Sequence, residues 1–287
     1  MKYGIQLVQA WSPGNGVNNV SAFLLKAAEE AESAGWDGFF LWDHLYFTWA
    51  PCHMPDSWSV LSAAAARTDR ITLGTTVTAL PRRRPQVLAK QLVTVDQISG
   101  GRVVLGVGLG GSGEGGDAGD EFTSFGEESR YRVMGRMADE ALEVITRLWS
   151  GEQVNYMGKH FKVENAVFLP RPVQKPRIPI WVGAFDGPAL KRVAKYDGWV
   201  TTGPCPSVNL PGYSFEKVHE KMGIIEGYRK TDWPFDLVYG YEFPTQGIDE
   251  EVSKAESVGV TWMLDIISAM RFKGNEALDY IRRGPPG

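Results

Sequence analysis

Short apolar runs alternate with longer stretches of helical periodicity from the first residues of the chain. Tyr3 to Val8, Gly38 to Trp42, Ile71 to Val77 and Val103 to Val107 are each β-rich, and their starts at residues 3, 38, 71 and 103 recur about every 33 residues. That interval accommodates a strand, a loop, a helix and a return. Between the first two runs, Val20, Phe23, Leu24, Ala27, Ala28 and Ala31 form one apolar stripe behind the candidate caps Asn18 and Asn19, and Gly35 supplies a stop. An Ala-rich second helix is expected over Asp56 to Arg67. A third starts at Pro85, whose missing N–H suits a first turn. It carries Val87, Leu88, Leu92, Val95 and Ile98 and ends at Ser99-Gly100-Gly101.

The period breaks after the fourth run, because the next convincing strand, Ile178 to Val182, is long delayed. Residues 108–177 therefore read as an insertion, with a Gly-rich loop, a long amphipathic helix from Arg130 to Trp149 and a small hairpin within Val154 to Phe168. Pro170, Pro172, Pro176 and Pro179 lead back to the core. Further strands are expected at Gly198 to Thr201, Phe235 to Gly240 and Val260 to Asp265, with helices at Gly187 to Lys195, Phe215 to Arg229 and Ile248 to Ser257. Eight two-sided apolar strands alternating with helices predict an α/β fold. Residues 1–287 are expected to form a single (β/α)8 TIM-like barrel with an insertion between strands four and five; an open doubly wound sheet is the alternative.

Composition narrows the partners. Hydrophobic residues at 43% and charged residues at 22% fit a globular chain and argue against disorder, fibres and coiled coils. A net charge of -4 gives no basic field for nucleic acid, and no Lys/Arg block flanks an apolar helix for membrane attachment. No apolar run approaches the roughly 18 residues of a membrane span, and the N-terminus carries no small-residue cleavage site, so a cytoplasmic protein is expected. Cys52 and Cys205 lack metal-site spacing and read as incidental reduced thiols, and no metal is expected. Glycine is the outlier, with 33 residues that must mark turns and close backbone approaches.

In a parallel barrel, reactive groups belong at the C-terminal ends of strands. Four such junctions carry polar or small residues: Gln9-Ala10-Trp11, Asp43-His44, Thr75-Thr76-Val77-Thr78, and Gly106 through Gly111. A histidine exchanges protons near neutral pH and an adjacent carboxylate can orient a ligand, so Asp43-His44 is favoured as chemistry over a capped turn. His53 is weaker evidence. The glycines after the fourth strand offer backbone N–H groups to a phosphate, but Ser112 to Asp117 prolongs a loop where a dinucleotide fingerprint needs a helix. Gly183-Ala184 opens a second small-residue turn that could clamp the same phosphate. Trp11, Trp42, Trp49, Trp58, Tyr46 and Phe47 suit a pocket for a flat ligand, with core filling the strong competing role for Trp42 and Trp58. The substrate pocket is expected to include Trp11, Trp49 and His53. Arg82-Arg83-Arg84 is either an anion site or a solvated basic turn.

Five blocks give the chain a family resemblance. They are Ala34-Gly35-Trp36-Asp37-Gly38-Phe39-Phe40-Leu41-Trp42-Asp43-His44, Arg70-Ile71-Thr72-Leu73-Gly74-Thr75, Asp96 through Gly108, Arg136-Met137-Ala138-Asp139-Glu140-Ala141-Leu142, and Pro179-Ile180-Trp181-Val182-Gly183. In this order, over about the first 200 residues, the chain resembles the bacterial luciferase-like family of flavin- and F420-dependent oxidoreductases. The resemblance implies a flavin or deazaflavin ring over the strand ends, its phosphate held by Gly108, Leu109, Gly110, Gly111, Gly183 and Ala184. It implies that Asp43, Thr76 and Val77 lie at the ring, with a non-prolyl cis peptide at Thr76-Val77, and that His44 accepts a proton from an alcohol. F420-dependent hydride transfer to or from a small organic molecule is the function implied first. An FMN-dependent monooxygenase served by a flavin reductase is the alternative, and a noncatalytic flavin-binding protein the third. A homodimer is also implied. One departure stands out: Gly110 and Gly111 occupy the place where some F420 dehydrogenases have an acid, Glu114 comes later, and no acid is assigned.

Overall fold

The structure is a computed structural model that describes residues 1–47, 52–111, 120–208, 212–244 and 246–286. Its strands are β1 (Lys2–Leu7), β2 (Gly38–Asp43), β3 (Thr72–Ala79), β4 (Val103–Gly108), β5 (Gln153–Met157), β6 (Lys162–Val167), β7 (Ile180–Gly183), β8 (Gly198–Thr202), β9 (Asp236–Tyr241) and β10 (Trp262–Ile267). Eight of them close into a barrel in the order β1-β2-β3-β4-β7-β8-β9-β10, and β10 pairs back onto β1. Every pairing in the barrel is parallel. The eight strands expected from sequence are these eight staves, displaced by at most two residues, and closure excludes the open sheet. β5 and β6 form the expected hairpin outside the barrel.

The helices are α1 (Val20–Ser33), α2 (Ser57–Ala65), α3 (Pro85–Ser99), α4 (Asp120–Thr123), α5 (Tyr131–Trp149), α6 (Pro188–Val193), α7 (Phe215–Tyr228), α8 (Ile248–Ser257) and α9 (Gly274–Ile281). Local chemistry sets their ends. Asn19 caps α1 by accepting the Ala22 N–H at 3.0 Å, Asp56 caps α2 through Ser59, and α3 runs from Pro85 to a left-handed Gly100. α5 packs beside α3, and the Trp149 indole donates to the Ala89 carbonyl at 3.2 Å, so α5 is the fourth helix of the outer ring. What is added to the repeat is thus narrower than 108–177: the stretch between β4 and α5, and the hairpin. α9, which the periodicity does not announce, packs on α1 and accepts the Trp36 indole N–H at Ile281 O.

Strand alternation divides the core into two layers. Outward residues such as Phe39, Leu41, Leu73 and Leu105 pack under the helices. Inward residues Phe40, Val104, Trp181, Val200, Val238, Trp262 and Leu264 fill the lumen. The rings of Phe40, Trp181 and Trp262 lie 5.3 to 5.7 Å apart and form its floor. Gly38 makes this possible, because a Cβ there would come within 2.4 Å of the Phe40 ring and 2.8 Å of Trp262.

Candidate active site

Above the aromatic floor the lumen turns polar. Gln6 follows Gly4 on the inward face of β1, and its amide donates to Thr76 O at 3.1 Å, reaching past β2 to β3. β3 is irregular here: the Thr76-Val77 peptide is cis and the pairing of β3 with β4 shifts between Gly74 and Thr78. Val77 joins the lumen cluster, and Thr75 and Thr78 share a buried hydroxyl contact of 3.0 Å. Among the described residues, Gln6 Oε1, Trp42 Nε1, Thr76 Oγ1 and Thr202 Oγ1, on β1, β2, β3 and β8, are buried without a partner. Buried polar atoms are nearly always hydrogen-bonded, and such orphans on four staves of one barrel mark the place of a polar ligand. An apolar floor below donors and acceptors of both kinds fits a planar ring with a polar edge, such as a flavin or deazaflavin.

The ends of β4 and β7 adjoin, as Val107 pairs with Val182. A Cβ on Gly108 would sit 2.5 Å from a Val77 methyl, and one on Gly183 would sit 2.9 Å from the other, so these two glycines admit Val77 between the strands. Gly110 has φ +78 and presses against Phe122, while Leu109 and Gly111 continue the turn. The Ala184 N–H donates to Val200 O at 3.4 Å and is engaged within the barrel. Glu114 lies outside the described residues.

At the end of β2, Asp43 and His44 enter a dense charge network. Asp43 Oδ1 accepts from Arg83 at 2.5 Å and lies 3.7 Å from Arg82, which also donates to the Asp43 carbonyl; Oδ2 is buried without a partner. His44 Nδ1 lies 3.3 Å from Glu121 Oε1, the same oxygen that accepts from Arg82 at 3.1 Å, and Glu121 Oε2 accepts the Leu45 N–H at 2.8 Å. Burial pushes the Glu121 carboxyl up, but the hydrogen bond and charge of His44, the charge of Arg82 and the Leu45 amide outweigh it, so its pKa is lowered. Gln9 bridges the His44 carbonyl at 3.2 Å and the Ser57 hydroxyl at 3.1 Å. Trp42 and Phe47 flank the imidazole with ring separations of 5.6 and 4.9 Å.

Several sequence expectations are corrected. Trp11 does not face a pocket: it is fully buried, packs on Phe23 at 4.7 Å and spends its indole N–H on Val8 O. His53 is exposed and is joined to Trp11 through the backbone. Trp49 lies outside the described residues. Arg82 and Arg83 form neither an open anion site nor a solvated turn, because both serve as internal counterions to acidic side chains. Glu121 was not singled out from sequence, and its only local signal is an acid preceding a buried phenylalanine.

Comparison with known proteins places this architecture. Residues 1–208 match the luciferase-like monooxygenase family. The chain belongs to that family. This luciferase-like chain is 38% identical over 184 residues to an F420-dependent glucose-6-phosphate dehydrogenase of Microbacterium testaceum, a match covering 62% of this chain and 52% of that protein. The chain spans about half the length of the curated relatives it first matches. In fold it is similar to the monooxygenase RslO1 of Streptomyces bottropensis, with TM-score 0.77, 21% identity and coverage of 98% and 97%. It is also similar to an F420-dependent secondary alcohol dehydrogenase in complex with an F420-acetone adduct, with TM-score 0.74, 18% identity and coverage of 99% and 98%. Among the described residues, no helix of the luciferase-like chain is long and apolar enough to cross a membrane.

Proposed function

We propose that this chain is an F420-dependent oxidoreductase that moves a hydride between the deazaflavin and a small organic substrate. The observation that carries this is His44, partly open to solvent at 18% side-chain exposure and backed by an ionised, buried Glu121, in a barrel with unpartnered polar atoms on four of its staves. The match to F420-dependent dehydrogenases supports the choice of cofactor. Bound F420 supplies a ring carbon that exchanges a hydride and reacts poorly with oxygen.

The residues of the chain supply the rest. In the oxidation direction His44 accepts the hydroxyl proton of an alcohol as its carbon gives up a hydride, leaving a carbonyl compound and an imidazolium. Asp43, with Arg82 and Arg83, fixes the end of β2 behind that imidazole. Gln6, Trp42, Thr76 and Thr202 would offer hydrogen bonds to the ring edge and Val77 an apolar support, and the turns at Gly108, Leu109, Gly110, Gly111 and Gly183 would hold the phosphate, the Ala184 N–H being already spent on Val200 O. Homodimer formation and a cytoplasmic location belong to the same proposal; light scattering on the purified protein tests the first.

An FMN-dependent monooxygenase supplied by a flavin reductase is the second reading, favoured by the family to which residues 1–208 belong. Titration with F420 and with FMN, followed by oxygen uptake on reduction, separates the two. Tight F420 binding without oxygen consumption is expected; preferential FMN binding with rapid oxygen use overturns the F420 assignment. In the F420-loaded enzyme, His44→Ala is expected to lower turnover by about 10²- to 10⁴-fold with little change in cofactor affinity. Equal turnover would remove His44 from proton transfer.

A further inference from the structure

The geometry points to Glu121 as the positioning residue for His44: its carboxylate holds the proton on Nδ1 and so leaves Nε2 bare as the proton-accepting atom. This rests on His44 acting as the proton acceptor proposed above, but its structural core concerns the protein alone.

Three observations converge. Glu121 Oε1 faces His44 Nδ1 at 3.3 Å, and the carboxyl is 1% exposed. Ionised, it can only accept, so the nitrogen facing it must donate. Its anionic form is secured from two other directions, by Arg82 at 3.1 Å and by the Leu45 amide at 2.8 Å. The imidazole is also restricted, lying between the rings of Trp42 and Phe47 while Gln9 ties down its backbone carbonyl.

The placement of Glu121 is itself built. It sits on the four-residue α4, far from His44 in sequence, and the next residue, Phe122, is fully buried with Ala79 and Met134. Gly110 lets the Phe122 ring approach, since a Cβ there would fall 2.8 Å from it. Arg82 lies 5.8 Å over the same ring. The added stretch between β4 and α5 is therefore pinned at Phe122 so that the preceding carboxylate meets the imidazole. Among the described residues, the charged groups around His44 are Glu121 from α4, Arg82 from the turn after β3 and the adjoining Asp43 of β2.

The alternative role is a plain counterion for Arg82, which would leave the imidazole indifferent. Nitrogen-15 NMR of the cofactor-free protein decides between them. The chain has 4 histidines, so the His44 signals are assigned by their loss in His44→Ala. The Nδ1–H tautomer is expected in the wild-type protein at neutral pH. In Glu121→Gln, whose neutral amide no longer demands a donor on the facing nitrogen, the Nδ1–H form is expected to give way in part to the Nε2–H form. In the loaded enzyme, kcat is expected to fall by about 10²- to 10⁴-fold with cofactor affinity kept. Glu121→Asp, which keeps the charge, should restore part of the rate. An Nε2–H tautomer in the wild-type protein overturns the assignment without any variant, as does an unchanged Nδ1–H preference in a folded Glu121→Gln protein. If FMN proves to be the cofactor, the NMR outcome stands on its own, so the two failures are distinguishable.

Discussion

Removing the guanidinium of Arg82 would take a shared counterion from two carboxylates at once, leaving Asp43 to Arg83 and Glu121 to His44 and the Leu45 amide. Arg82, Asp43 and Glu121 have side chains at most 3% exposed, so a lost partner leaves charge in a site that water barely reaches. Breaking a buried pair from one side costs about 3 to 5 kcal/mol, and Arg82→Ala is expected to lose an amount of that order in urea unfolding. Gly183→Ala tests a different neighbour. Its new methyl would meet a Val77 methyl at 2.9 Å and the Val107 carbonyl at 3.4 Å, so Val77 must move. A stability loss of about 1 to 3 kcal/mol is expected, with weaker binding of F420 in a fluorescence titration. At this scale the sequence is half legible. Asp43-His44 stands out because a titratable pair at a strand end has few structural uses. Glu121 does not, because its partner lies 77 residues away across a loop and no local pattern encodes that meeting. The arginine run misleads for the same reason: its carboxylates come from β2, the cap of α2 and α4, and nothing near Arg82 in sequence names them.

Elements with their own signals were readable, and those held only by tertiary contacts were not. α1 and α3 carry caps, stops and continuous apolar stripes, and they begin and end within a residue or two of where the sequence puts them. α9 has eight residues and starts at a glycine. Its apolar positions Ala277, Leu278 and Ile281 make sense only against α1. α4 is shorter still, and its stability must come from Phe122. Phe122→Ala is therefore expected to release α4 locally. Limited proteolysis should cut between β4 and α5 faster, and turnover should drop as Glu121 leaves His44, while thermal unfolding of the barrel shifts little. Cleavage and turnover matching wild type would show that α4 holds by other means.

For the molecule as a whole, the repeat of strand and helix made closure legible, and the acid response follows from where the carboxylates ended up. Glu32, at the end of α1, accepts backbone N–H groups of Asp69, Arg70 and Ile71 at 2.6 to 2.9 Å, tying the first helix to the start of the third stave. Burial raises its pKa, yet those amides and the Arg102 charge lower it further, to a net value below the ordinary 4.5. The unfolded chain then binds the proton more readily, so this stabilisation is present above about pH 4.5 and is lost as pH falls through the lower folded value. Calorimetry from pH 7 to 3 should show Tm falling in acid, and Glu32→Gln should flatten part of that fall. The interlocked Phe40, Trp181 and Trp262 rings have a consequence for traffic. They stop the lumen at the N-terminal ends of the staves, so a ligand seated on them would have come in from the C-terminal side. A molecule resting on that stop would be covered by a later arrival, and steady-state kinetics of compulsory order are the expected outcome.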